Sequence, residues 1–481
     1  MNYVDEEAVE PWQELERNLE ISDSFRYLSP RKLIYTYSHT NKISRSRIDR
    51  AYLSRNLLTK LEKICYETSH FSDHKIMIIR MMEDFDRGEG HWILNNSLLN
   101  EEGYIEMVKN EIRESRSLMD VFDKKKDFFD NVKQNMQSKS RLYAIEKSKH
   151  RRIEKAELKA KREKIEKISR QRFTSIDINR LKMIEDREKE IEAEEIEGMK
   201  LRTKIPTFEF GEPSISHLSR LEKNSGEKNG IYSLKNVEGE VCEDSESILK
   251  TCKEYYEKLY TKEEEDLELQ DFFLSGIDKR LSEEDRAMLD EPITEDELYK
   301  ALKLLNKGKS PGHSGLTVEF YLKFWNDLKE YLTGSLEETK IDEVLSEMQK
   351  RGAIKISFKK DDRTNLDFYR PITLLEVDLK ILAKVLSMRL NKVLSKLVNL
   401  EQKCVSGRHI TDNIHVVQDI IDLINANDEE AAFLLFDMQK AFDRLSHTFL
   451  IRVLEGFGFG EGFIKWVKIL LKDVKSFVRV L

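Results

Sequence analysis

Apolar positions near the start of the chain fall into three short patterned stretches, "KLIYTY" at 32–37, "RIDRAYLS" at 47–54 and "HKIMIIRM" at 74–81. Each predicts a strand. Further on the punctuation disappears. No proline lies between 31 and 205 and no glycine between 104 and 197, in a stretch rich in Glu, Lys, Arg and Ile. That pattern predicts a long helix, weakest at "RFTSIDI", 172–178. Loop-like "KIPTFEFGEPSIS" and "NSGEKNG" follow, and from about residue 231 helical and strand patterns mix, as in an α/β or α+β domain. Near the end, "AAFLLF" at 431–436 reads as a short buried strand running into Asp437. "KAFDRLSHTFLIRVLEGFGF" then predicts an amphipathic helix with Phe442, Leu445, Phe449 and Val453 on one stripe.

Composition narrows the class. The 481 residues suffice for two or three domains, and 36% charged against 39% hydrophobic residues still leaves enough apolar surface to fold. A net charge of −8 argues against a uniformly basic nucleic-acid binder but hides local patches. Residues 141–172 hold 13 Lys/Arg against 5 Glu, and residues 185–197 hold 8 Asp/Glu against 2 Lys/Arg. The basic run reads either as a face for a phosphate backbone or as a solvated helix laced with i,i+4 pairs. Cys65, Cys242, Cys252 and Cys404 are scattered, with no CxxC pair, so a disulfide framework or zinc site is not expected. The acidic start has no apolar core, and no run reaches the ~18 apolar residues of a membrane span. The expectation is a soluble, intracellular protein without a membrane partner.

Asp437 carries the candidate chemistry. A carboxylate at the end of a strand either caps the following helix or binds a metal. Two-metal phosphoryl transfer needs at least two acidic side chains from different elements, so Asp437 requires a partner.

"FLLFDMQKAFDRLSH" resembles the first catalytic motif of the reverse transcriptases of non-LTR (LINE-type) retrotransposons. Three upstream segments resemble further blocks of that family, in the same order: "LKLLNKGKSPGHSGLTVEFYLKFW" (302–325), "AIKISFKKDDRTNLDFYRPITLLEVDLKILAKVLSMRLNKVL" (353–394) and "EQKCVSGRHITDNIHVVQDII" (401–421). The resemblance implies that Asp437 is catalytic and a metal ligand, with Met438 offering its backbone carbonyl. It implies that Arg370 and Lys380 meet the triphosphate of an incoming nucleotide, a role suited to the planar guanidinium fork, and that Phe442 lies under the sugar. Phe442 also fits plain core packing. Departures exist: Ser314 stands where the family has Asp, Ser406 where Pro is common, and the family's second motif, an aromatic-Ala-Asp-Asp hairpin, is not found.

The front of the chain resembles the last strands of the apurinic-endonuclease-like nuclease linked to these polymerases, through "SRIDRAYLS" (46–54) and "FSDHKIMIIR" (71–80). There the Ser-Asp-His motif is catalytic. Asp73 is expected to orient His74, His74 to contact the scissile phosphate, and Asp49 to support them.

The resemblance thus implies an α+β chain: the C-terminal tail of an α/β endonuclease sandwich over 1–82, a charged helical linker over 83–230, and the fingers and partial palm of a right-hand reverse transcriptase over 231–481. It implies RNA template, target DNA and deoxynucleoside triphosphates as partners, Mg²⁺ as cofactor with Mn²⁺ as a substitute, and work in the nucleus or cytoplasm. With one metal carboxylate in hand, the expectation is a copy incomplete at both ends and inactive as written. The alternative is a non-catalytic remnant that binds RNA or DNA.

Overall fold

The computed structural model describes residues 12, 14–38, 45–68, 72–82, 90–166, 174–203, 230–403 and 405–479. They form two compact units of mixed helix and strand, Met1–Gly90 with Arg151–Glu197 and His91–His150 with Gly198–Leu481. Cys404, residues 172 and 173 of the expected helix break, and the loop expected at 204–229 lie outside the described residues.

In the first unit, Ile21–Asp23 pairs antiparallel with Tyr52–Ser54, Tyr37–Ser38 with Arg45–Ser46, and Leu61–Thr68 with Lys75–Met81. Of the three expected strands, 74–81 is nearly complete as Lys75–Met81, 47–54 keeps Tyr52–Ser54, and 32–37 keeps only Tyr37. Leu61–Thr68, the partner of the longest, was not expected, although Leu61, Ile64 and Tyr66 sit among polar neighbours. Asp23 caps the short helix Ser24–Leu28 by accepting from the Phe25 and Arg26 amides. The Arg47 guanidinium grips the same carboxylate through two bonds of 2.7 Å, a fork-to-fork pairing that ties two ends of the segment together.

The charged middle of the chain resolves into an antiparallel pair. The end of the helix Lys125–Glu166 lies along the helix Ser175–Thr203. Arg151 meets Glu194 at 3.2 Å, Lys155 meets Glu195 at 2.7 Å and Arg162 meets Glu188 at 2.5 Å, around buried Leu158, Ile184 and Ile191. Part of the segregated charge therefore neutralises itself across two helices. Among the described residues of this pair the i,i+4 lacing is the single contact Lys161–Glu157, at 3.9 Å.

The second unit corrects the expected boundary at 231. Residues 91–150 are not a linker. The helix Glu102–Arg116 and the start of Lys125–Glu166 bury Tyr104, Val108, Phe128, Phe129, Val132 and Met136 in one core with the helices Trp325–Asp342 and Val377–Leu397. The cause is local: Tyr104, Val108 and Ile112 recur at helical spacing and form an apolar stripe. A break at 117–124 separates the two helices and carries neither glycine nor proline.

This core also holds charge. Lys133 Nζ donates to Asp378 Oδ2 at 2.8 Å and lies 2.9 Å from Asp130 Oδ1. Gln349 Nε2 donates to the same Asp378 oxygen at 2.9 Å. Asp130 accepts from the Ser346 hydroxyl at 2.9 Å and from the Met348 amide at 3.0 Å. Burial disfavours the Lys133 ammonium, but Asp378, Asp130 and Glu376 outweigh it and hold its pKa above the usual lysine value.

Beside this core lies a three-stranded sheet. Arg351–Phe358 is central, antiparallel to Tyr369–Leu374 and parallel to Lys475–Arg479. Its inner face buries Ile354, Ile356 and Tyr369 against the helix Ser245–Tyr260. No described helix is long and apolar enough to cross a membrane.

Phe129, 1% exposed, tests the corrected boundary. Phe129→Ala in the full chain is expected to lower unfolding stability by roughly 3–5 kcal/mol in a urea titration. An unchanged midpoint would place residues 91–150 outside the core.

Candidate nucleotide and phosphate sites

Strand register assembles a surface that no single motif displays. Paired residues share a side of the sheet, and alternate residues face the same way. Lys475 is opposite Arg351, and Arg479 is opposite Lys355. Ile372 is opposite Lys355, and Arg370 is opposite Ser357. One face therefore presents Arg351, Lys355, Arg370, Lys475 and Arg479, and none of its strand positions is a carboxylate. Arg370 is exposed there, and Arg479 lies over the Phe477 ring at 5.4 Å. Burial alone pulls the Arg479 pKa down. Lys355 and Arg479 were missed in the sequence, though the alternation of "AIKISF" marks Lys355.

Two histidines flank this face. His313 stands edge-on to Phe477 with ring centroids 6.2 Å apart. Burial first, then the nearby Arg479 charge, holds both His91 and His313 below the usual histidine value. The loop Pro311–Gly315 is threaded tightly between Trp92 and the chain at Leu375–Glu376. A Cβ on Gly312 would come within 2.5 Å of the Glu376 amide nitrogen. Gly315 has φ +71°, left-handed, and faces Trp92. Ser314 is buried, with its amide donating to Glu376 at 2.8 Å and its hydroxyl 2.5 Å from the other carboxylate oxygen. Burial pushes the Glu376 carboxyl up, against the opposing Lys133 charge.

Lys380 lies in the first turns of the helix Val377–Leu397, and its Nζ donates to the Ser310 carbonyl at 3.1 Å. Burial lowers its pKa, partly offset by Glu376. Arg370 and Lys380 thus occupy adjoining elements, one on the edge strand and one on the helix that follows it. Arg408 is structural in this chain: its guanidinium donates to the carbonyls of Ser395, Val398, Asn399 and Gln402 around the end of that helix.

Asp437 stands elsewhere. Residues 431–438 form no strand, and the expected buried strand is a correction. Leu434, Leu435 and Phe436 are exposed, Leu435 to 90%. An apolar run is a buried strand only with neighbours on its faces, and no described strand pairs with this one. The expected helix is also shorter: it begins at His447, capped by Ser446. Phe442 consequently lies off any helical stripe at 99% exposure, and Met438 is exposed as well.

The turn after Asp437 is firmly held. Lys440, with φ +51°, donates to Asp367 at 2.5 Å and also touches the Tyr255 hydroxyl. Hydrogen bonds from Lys440 and Tyr255 keep the Asp367 carboxyl below its usual pKa. Tyr260 donates to Asp443 at 3.2 Å, Arg444 to Glu263 at 2.6 Å and Ser446 to Glu265 at 2.6 Å. Burial, then Asp443, pushes the Tyr260 hydroxyl up to about 12. Among the described residues no three His, Cys, Asp or Glu side chains are grouped to hold a metal. The single exposed Asp437 carboxylate does not fit a Mg²⁺ pair.

In the first unit, His74 Nδ1 pairs with Asp49, at 2.9 Å to Oδ2 and 3.1 Å to Oδ1. The carboxylate on the imidazole is therefore Asp49, not Asp73, which is exposed. The buried Thr36 hydroxyl accepts from the amides of Ile48 and Asp49 and so fixes the carboxylate's position. The Tyr37 ring lies 4.9 Å from the imidazole, and the Ser72 hydroxyl accepts from the His74 amide. Such a pair fixes the tautomer and leaves Nε2 for a ligand or proton transfer.

Burial raises the Asp49 pKa, but hydrogen bonds from Thr36 and His74 outweigh it and the net shift is downward. The stabilisation from this carboxylate is present above its unfolded pKa and is lost as pH falls through the lower folded value. His74→Ala is expected to move the Asp49 carboxyl titration, followed by NMR, up toward that of an ordinary aspartate. A stationary midpoint would mean that the pairing contributes nothing.

Residues 358–479 match the reverse transcriptase (RNA-dependent DNA polymerase) family. The match takes in Arg370, Lys380 and the segment around Asp437. The chain is also similar to the "Transposon TX1 uncharacterized 149 kDa protein" of Xenopus laevis, 29% identical over 476 residues. That alignment covers 97% of this chain, which spans only 36% of the relative's length. The reverse transcriptase signal thus lies in residues 358–479, and the likeness to the transposon protein runs along nearly the whole chain.

Proposed function

We propose that the second unit is the fingers portion of a non-LTR reverse transcriptase and binds deoxynucleoside triphosphates and a nucleic-acid template. The observation that carries this reading is the sheet face bearing Arg351, Lys355, Arg370, Lys475 and Arg479 without a strand carboxylate. Five like charges on one small surface repel each other and are relieved by a polyanion. Arg370 suits the triphosphate because its fork meets two phosphate oxygens at once, and Lys380 adds a charge from the adjoining helix. Phe442 and Met438 would reach a nucleotide only once the segment around Asp437 is packed. Asp437 would then supply one ligand to Mg²⁺ or Mn²⁺, with further carboxylates required beside it.

For the first unit, the same reading makes Asp49 and His74 part of a linked endonuclease, with His74 addressing a phosphate of target DNA and Asp49 setting its tautomer. The support is the pairing geometry. Asp49 rather than Asp73 holds the ring.

A second reading, binding of RNA or DNA without catalysis, is favoured by the same cationic face, which needs no metal to hold phosphates. Titration of the full chain with a fluorescent deoxynucleoside triphosphate tests the first reading. Arg370→Gln is expected to weaken binding about tenfold, in keeping with the loss of a charge-assisted phosphate contact. Equal affinity in Arg370→Gln would remove Arg370 from the nucleotide site. If only single-stranded RNA binds, steeply weakened by salt, the second reading holds.

A further inference from the structure

We propose that Lys133 is a positioning residue for the nucleotide site: its buried ion pair with Asp378 sets the placement of Arg370 and Lys380. The inference rests on the triphosphate reading of those two residues and adds a group far outside the family-matched segment 358–479.

The strand Tyr369–Leu374 carries Arg370 and lies at the edge of its sheet, bonded on one side only, to Arg351–Phe358. An edge strand paired on one side depends on its ends for a fixed position. Its C-terminal end is two residues, Leu375 and Glu376, from the helix Val377–Leu397. That junction is pinned at two points. Glu376 is fully buried and takes both bonds of Ser314. Asp378, in the first turn, is fully buried and takes Lys133 at 2.8 Å and Gln349 at 2.9 Å on one oxygen. Its other oxygen accepts from the Leu379 amide at 3.0 Å. Lys380 follows two residues later, held against the Ser310 carbonyl.

Lys133 is the cation at the centre of this buried group. Without it, Asp130 and Asp378 lose the cation they share, and Glu376 keeps only the opposing charge of Lys380. Like carboxylates in a low-dielectric interior either take up protons or move apart. Either response shifts the first turn of the helix, and with it both phosphate-facing side chains. Lys133 touches neither nucleotide nor reacting atoms and acts through Asp378.

Lys133→Met alone leaves buried carboxylates unpaired and risks unfolding, so the decisive variant is Lys133→Met with Asp378→Leu, which removes both charges together. Two readouts on the full chain separate the claims. Amide hydrogen exchange reports the clamp: the 369–376 backbone is expected to exchange about tenfold faster while the middle of the 377–397 helix stays protected. Triphosphate titration reports the consequence: affinity is expected to fall about tenfold, with no further loss when Arg370→Gln is added, since both act on one contact.

Unchanged exchange at 369–376 in the folded double variant overturns the positioning role. Independent, multiplying losses with Arg370→Gln overturn it as well. If exchange quickens as expected while Arg370→Gln leaves triphosphate affinity intact, the clamp stands and the nucleotide reading of Arg370 is what fails.

Discussion

The second unit depends on one buried lysine. Taking an ammonium out of water is costly, and the attraction to its partners repays that only when geometry is good and the remaining valences are met. Lys133 meets the condition through Asp130 and Asp378, and those carboxylates are further satisfied by Ser346, Met348, Gln349 and Leu379. Losing one partner of such a group typically costs roughly 3–5 kcal/mol, because the other charge remains buried. The network joins the helix Lys125–Glu166, the turn at 346–349 and the head of the helix Val377–Leu397. Apolar packing of Phe128, Phe129 and Val132 could tolerate some sliding, whereas the ion network fixes the register.

The charge logic inverts at the adjacent sheet. Inside, the Lys133 cation is surrounded by carboxylates. Outside, five cations share a face that offers no strand carboxylate. The apolar opposite face, with Ile354, Ile356 and Tyr369 buried against a helix, holds that repulsive arrangement in place. The chain's net charge of −8 gives no sign of it, because the acids are spent elsewhere, many of them on the helix pair in the first unit. Interactions at the exposed face weaken with salt, whereas the buried network is little screened. Phosphate binding and fold stability therefore respond to different conditions.

Parts of this were legible in the residues. The alternation in "AIKISF" and the extended backbone before Pro371 mark the central strand and one edge strand of the sheet, and the helical spacing of Tyr104, Val108 and Ile112 marks a buried stripe. The assignment of residues 91–150 to a linker missed that stripe because the dominant signal was the charge of the following stretch. Lys133 was invisible, since a lysine in a charged helix looks solvated until Asp378, 245 positions away, is known to meet it. Asp49 and Asp73 could not be ranked from sequence: adjacency to His74 favoured Asp73, but only the hydroxyl of Thr36 and the bridge between Tyr37 and His74 bring Asp49 to the ring. The run at 431–436 shows the opposite failure. Its pattern states a preference for burial, and a preference is not a partner.

That run and Asp437 are governed by one constraint. On the C-terminal side the backbone is already set, with Lys440, Asp443, Arg444 and Ser446 each tied to groups between Tyr255 and Asp367. On the N-terminal side Phe433, Leu434, Leu435 and Phe436 face solvent. Each such side chain gains about 1.5–3 kcal/mol when fully buried, so the segment is drawn toward any apolar surface that can take a strand. Strand pairing would fix the period of the run, and the period decides on which side of the sheet the next residue falls. Burying the four apolar residues and aiming Asp437 are consequently one event, driven by the hydrophobic effect and completed by the anchored turn on the C-terminal side.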